Sequence, residues 1–159
     1  MKFFQKVPSG FPGLDRVVDF IRLGDNVVWQ IDDIEGYSAL ARAFARQSAA
    51  DGRMTAYIRF GRHLEIIPDG EPGILRFTLD ANTGFEQFTG RVHQIITELG
   101  LKAFYVFDCL SELVDDWATD LMIGNFFVAT CPYLFDLETV AWFGVMRGQH
   151  STETVARIR

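Results

Sequence analysis

The sequence predicts a three-layer α/β sandwich built around a mostly parallel sheet. Short apolar runs alternate with longer amphipathic stretches, the order expected of strands joined by covering helices. The runs are apolar throughout rather than alternating, which fits strands buried on both faces. At 159 residues, 48% hydrophobic and with fifteen Phe, the chain can fill one domain-sized core.

The elements follow in order. Asn26-Val-Val-Trp-Gln-Ile31 is a compact apolar run after Gly24-Asp25 and predicts the first buried strand. From Ser38 to Ala50, Leu40, Ala41, Phe44 and Ala45 recur at helical spacing. Met54 to Phe60 is expected to be a second strand, and Ile74 to Leu79 an extra edge strand beyond the turn residues Pro68–Gly73. Phe88, Val92, Ile95 and Ile96 predict a helix over 85–98, closed by Gly100. Ala103 to Asp108 reads as a third buried strand. A helix over 111–123, with Ser111 near its start and Gly124 at its end, follows. Phe126 to Cys131 is then expected as a strand stopped by Pro132, with a short acidic helix at 133–138 and a final strand at 139–146. Ser151 can cap a helix that is still running at Arg159. This predicts that residues 1–159 are one domain, the N-terminal piece of a longer protein.

Charge and composition exclude several classes. A formal net charge of −6 argues against nucleic acid and against an anionic membrane surface as partners, since both need clustered Lys and Arg. No apolar stretch approaches the roughly 20 residues of a membrane span. The opening Met-Lys-Phe-Phe-Gln-Lys lacks the long apolar core of a secretory leader. Two cysteines, Cys109 and Cys131, make no disulfide framework and are expected as reduced thiols of a cytoplasmic protein.

In open α/β sheets, ligands bind at the carboxyl ends of strands, so the segment after the first strand is the place to look for chemistry. It runs Gln30-Ile-Asp-Asp-Ile-Glu-Gly-Tyr-Ser38 and leads into a helix, the context of a phosphate-binding loop. Gly36 and Ser38 stand where such a loop has its second glycine and its hydroxyl. Ile31 replaces the first glycine, and Tyr37 replaces the lysine. Tyr37 removes a positive charge from the β/γ-phosphate position. Asp32, Asp33 and Glu35 add carboxylates where phosphate oxygens would lie, with the option of capping the helix themselves.

Further segments carry a resemblance. Ser9-Gly-Phe-Pro-Gly-Leu-Asp15 resembles the opening of KaiC-like members of the RecA superfamily of P-loop NTPases. Leu23 to Val28 is similar to the entry of their first strand, Tyr57 to Phe60 to their second, and Phe104 to Leu113 to their Walker B strand ending in Asp108. The tail from Gly148 to Arg159 is similar to the segment after their fifth strand. The resemblance implies a RecA-like sandwich. It also implies an acidic pair after the second strand, one Glu of which positions the attacking water; this chain has Gly61-Arg62 there. With the lysine and the Glu both missing, the resemblance implies a pseudo-ATPase with a degenerate Walker A loop, no catalytic residue, no metal, and no ATP–magnesium cofactor. Leu23 to Asp32 is also similar to the N-terminal region of bacterial proteins related to phosphoenolpyruvate synthase and pyruvate phosphate dikinase. From that follow the expected partners: other domains of a parent phosphotransferase, and further copies of the chain. The competing reading is a domain that binds a nucleotide or phosphate ligand in a non-standard way, with Ser38 and Asp108 on a metal and residual NTPase-type chemistry.

Other residues point to bland roles. Asp115, Asp116 and Asp120 read as an exposed helix face, and Trp117 as core. Arg42 and Arg46 are free to pair with the acidic loop or to face solvent. A sensor of a non-phosphate ligand would instead need a pocket of Trp29, Tyr37 and Tyr133.

Overall fold

The computed structural model describes residues 5–159; residues 1–4, the start of the segment read as lacking a leader core, lie outside them. Two short strands, β1 (Lys6–Val7) and β2 (Ile21–Arg22), pair antiparallel around helix α1 (Pro12–Val18). Asp15, buried on α1, accepts the backbone N–H of Ser9 at 2.9 Å, so the Ser9–Asp15 segment closes on itself.

The main sheet holds β3 (Asn26–Ile31), β4 (Thr55–Arg59), β5 (Ile74–Thr78), β6 (Phe104–Cys109) and β7 (Val140–Met146). Its order is β3-β7-β6-β4-β5, and every pairing is parallel. Helix α2 (Ile34–Ala50) covers one face, while α3 (Phe85–Leu99) and α5 (Leu121–Asp136) cover the other. A short helix, α4 (Val114–Trp117), and the terminal α6 (Thr152–Ile158) complete the second side, α6 lying on α5. This is the three-layer α/β sandwich that the sequence predicts, and the edge strand beyond the Pro68–Gly73 turn is present as β5.

Each face has its own core. Under α2, Phe44 stacks on Trp142 with ring centroids 4.4 Å apart, among Tyr37, Ala41, Ala45, Tyr57 and Phe104. On the other side Phe88, Phe107, Phe126 and Phe143 interlock with Trp117 and the apolar stripe of α3. Burying an aromatic side chain of this size is worth about 1.5–3 kcal/mol, so the buried Phe side chains contribute much of the cohesion. Trp117 is core, as its neighbours in sequence suggest.

Three boundaries differ from expectation. The helix expected from Ser38 starts at Ile34. The helix expected over 111–123 breaks: a 3-10 turn at Leu110–Leu113 runs into α4, and Ala118 turns left-handed at φ 61° before α5 begins. The strand expected at 126–131 and the helix expected at 133–138 are both parts of α5. Ile123, Phe126, Phe127, Thr130 and Leu134 are its buried residues, a 3.6-residue stripe inside a run apolar enough to pass for a strand. Pro132 does not stop the helix. The carbonyl it deprives of a donor belongs to Val128, which is 61% exposed and open to water.

Candidate functional site

The carboxyl ends of the strands gather the predicted residues. Only Asp32 and Asp33 separate β3 from α2. A helix that begins so soon leaves no run of loop amides to wrap a phosphate, and the donors that remain are those of its first turn. Asp33 serves that turn itself: it is the N-cap, and its Oδ1 accepts the N–H of Gly36 at 2.8 Å. Asp32 is exposed and pairs with Arg147 at 3.2 Å. Glu35 is exposed in the first turn, beside the helix's positive end.

Tyr37 points the other way, into the core under the sheet. It is fully buried, and its hydroxyl hydrogen is shared between the carbonyls of Phe107 (2.8 Å) and Trp142 (3.2 Å). Its ring lies against Gly144, where a Cβ would come within 3.0 Å of ring carbons. Burial, followed by the nearby Asp108 charge, holds the phenol well above its ordinary pKa, so it stays neutral. Ser38 is half-buried at a groove of about 540 Å³ bounded also by Asp33, Glu35, Arg42, Leu64 and Glu65.

Asp108, at the end of β6, is fully buried and heavily coordinated from within. Its Oδ1 accepts the Tyr57 hydroxyl. Its Oδ2 accepts Arg59 at 3.0 Å and the backbone N–H groups of Phe60 and Gly61, each at 2.8 Å. Tyr57 in turn accepts the N–H of Ile66 at 3.1 Å, so one carboxylate anchors the whole 60–66 segment. Burial and the Asp108 charge push the Tyr57 phenol up, keeping the proton on tyrosine. Four donors hold the carboxylate from within the protein, three of them on Oδ2.

Gly61 and Arg62 have structural tasks. A Cβ on Gly61 would lie 2.7 Å from His63 Nε2, so that imidazole fills the place of a side chain. His63 accepts the Cys109 N–H on Nε2 at 3.2 Å and faces the Leu64 carbonyl with Nδ1 at 2.7 Å, a pattern that assigns the neutral Nδ1–H tautomer. Arg62 donates to Asp116 at 3.0 Å.

Other residues that the sequence singles out stand apart in the structure. Asp108 stands apart from the exposed carboxylates of the junction, buried on Tyr57 and Arg59. Tyr133 packs against the opposite core from Tyr37, so Trp29, Tyr37 and Tyr133 form no pocket. Cys109 and Cys131 likewise belong to opposite faces; burial raises both thiols, Cys131 to about 12. Arg42 donates to the Ile66 carbonyl and Arg46 pairs with Glu71, not with the acidic junction. Among the described residues, no group of three or more His, Cys, Asp or Glu is placed to hold a metal, and no helix is long and apolar enough to cross a membrane.

One constellation lay beyond sequence reasoning. Ser111, at the turn after β6, meets His150, after β7, with Oγ and Nε2 2.6 Å apart, and His150 faces Asp120 before α5. The partners are separated by 39 and 30 positions in the chain, and no local motif links them. No protein-family model matches this chain, and its sequence matches no curated protein.

Proposed function

We propose that the chain is a pseudo-ATPase module of RecA/KaiC type, non-catalytic at its degenerate phosphate loop and acting in assembly or regulation. Its context would be a protein related to phosphoenolpyruvate synthase, with the other domains of that parent and further copies of itself as partners. One observation carries the pseudo-ATPase reading. The strand-to-helix connection is two residues long, and Asp33 already occupies the helix N-terminus that a phosphate would need. The buried phenol of Tyr37 and the four donors on Asp108 support it, since both side chains are already engaged inside the protein.

Isothermal titration of magnesium–ATP into the chain tests this. The expected result is no binding tighter than about 100 μM, equivalent to roughly 5.5 kcal/mol. Tighter binding overturns the reading in favour of a non-standard nucleotide or phosphate-ligand domain.

A further inference from the structure

The same sheet edge holds a second constellation that the pseudo-ATPase reading leaves unused. The Ser111 oxygen accepts the backbone N–H of Met146 at 2.8 Å and lies 2.6 Å from His150 Nε2. With Nε2 accepting the Ser111 hydrogen, as nucleophile activation requires, the ring proton sits on Nδ1. That atom is buried without a hydrogen-bond partner, in an imidazole only 2% exposed. Asp120 Oδ2 stands 3.8 Å from it, held in place by the Ser151 N–H at 2.7 Å. Hydroxyl to Nε2 and carboxylate toward Nδ1 is the connectivity that activates a serine, and the carboxylate contact is often loose before substrate binds.

The surroundings suit the roles. Burial lowers the pKa of His150, which keeps it the neutral base such a step requires, and the Asp120 charge opposes that shift and stabilises an imidazolium once formed. Ser111 opens on a groove of about 300 Å³, lined also by Ile34, Glu112, Asp115, Met146 and Gln149. The two carboxylates repel an anionic acyl group, and the volume admits only a small one. Gln149, in the same lining, carries a neutral amide of the kind that can donate to a developing oxyanion.

We propose that Ser111, His150 and Asp120 form a nucleophilic site for small, uncharged or cationic carboxylic esters. Met146 takes one lone pair of Ser111 Oγ; the other attacks the ester carbonyl carbon as the hydroxyl proton passes to His150 Nε2. The bond from that carbon to the alcohol oxygen breaks, and the leaving alkoxide takes the proton. Water, deprotonated by the same nitrogen, then adds to the acyl-serine, releases the carboxylic acid and restores the hydroxyl. Asp120 is a positioning residue, acting through His150.

The test treats the 159-residue chain with an uncharged alkyl fluorophosphonate and follows intact mass and peptide maps. One adduct on Ser111 is expected, with hydrolysis of p-nitrophenyl acetate that is lost in Ser111→Ala. Labelling should slow about a hundredfold in His150→Gln, the scale of a general base. In Asp120→Asn the pH midpoint of labelling should move down, because the imidazolium loses its counter-charge; loss of amplitude without that shift would deny Asp120 its role. A wild-type chain with no adduct on Ser111 overturns the proposal whatever the variants do, and so does equal labelling of a folded His150→Gln chain.

Discussion

The β3–α2 junction and the ends of β6 and β7 lie along one edge of the same sheet, yet they dispose of their polar atoms in opposite ways. At the junction, Asp33 caps its own helix, Asp32 meets Arg147, and the Tyr37 hydroxyl is shared by two sheet carbonyls. At the ends of β6 and β7, Ser111 and His150 meet closely while His150 Nδ1 is left buried and unpaired. A group left buried without a partner costs about 1–3 kcal/mol. The lesson is that a position's resemblance to a known site says less than whether its polar atoms are already spent.

The comparison breaks most visibly at Asp108, the buried carboxylate at the end of β6. Asp108→Ala strands Tyr57, Arg59 and two backbone N–H groups inside the protein. A loss of about 3–5 kcal/mol is expected in urea unfolding, as for a broken buried ion pair. If Asp108 were a ligand-facing residue, that variant would unfold at nearly the wild-type midpoint. Asp33→Ala sharpens the junction half. Losing this cap should cost about 1 kcal/mol without creating affinity for magnesium–ATP, because the lysine charge is still missing. The smallest effect is on pH dependence. Burial lowers the pKa of His93 and His150 below the ordinary 6.5. Below pH 6.5 the unfolded chain takes up protons that the folded chain refuses, so stability should fall as pH drops through that value towards the folded-state pKa values. His150→Gln should flatten part of that decline in a series of thermal melts.

Much of the fold was open to reading because β4, β6 and β7 are apolar runs bracketed by turn residues and buried on both faces; β3, expected to be buried as well, is a half-buried edge strand. The segment 126–131 was not, since Phe126-Phe-Val-Ala-Thr-Cys131 is apolar in every direction and Pro132 looks like a stop. Only the partners of Phe126 and Thr130 across α3 decide for a helix. At the site, the self-capping carboxylate could be anticipated, because Asp33 and Gly36 are three residues apart. The destination of Tyr37 could not: a tyrosine in a loop-to-helix sequence carries no sign of whether it faces ligand or core. Ser111, His150 and Asp120 come together only through the sheet order, which no window of sequence contains.

The register of β6 on β7 has a last consequence. Val106 pairs with Trp142 and Cys109 with Gly144, so β6 spends three steps where β7 spends two. The extra residue in β6 falls where the Phe107 carbonyl receives Tyr37, and Gly144 leaves the space its ring fills. Residue 37, the irregular stretch of β6 and the glycine of β7 are therefore fitted to one another like a key to two wards. A lysine placed alone at 37 would enter an apolar chamber cut for a phenol, and would have to lose its charge or leave the chamber. Whatever its ancestry, this junction is ratcheted: no single codon change leads from it to a phosphate-binding loop.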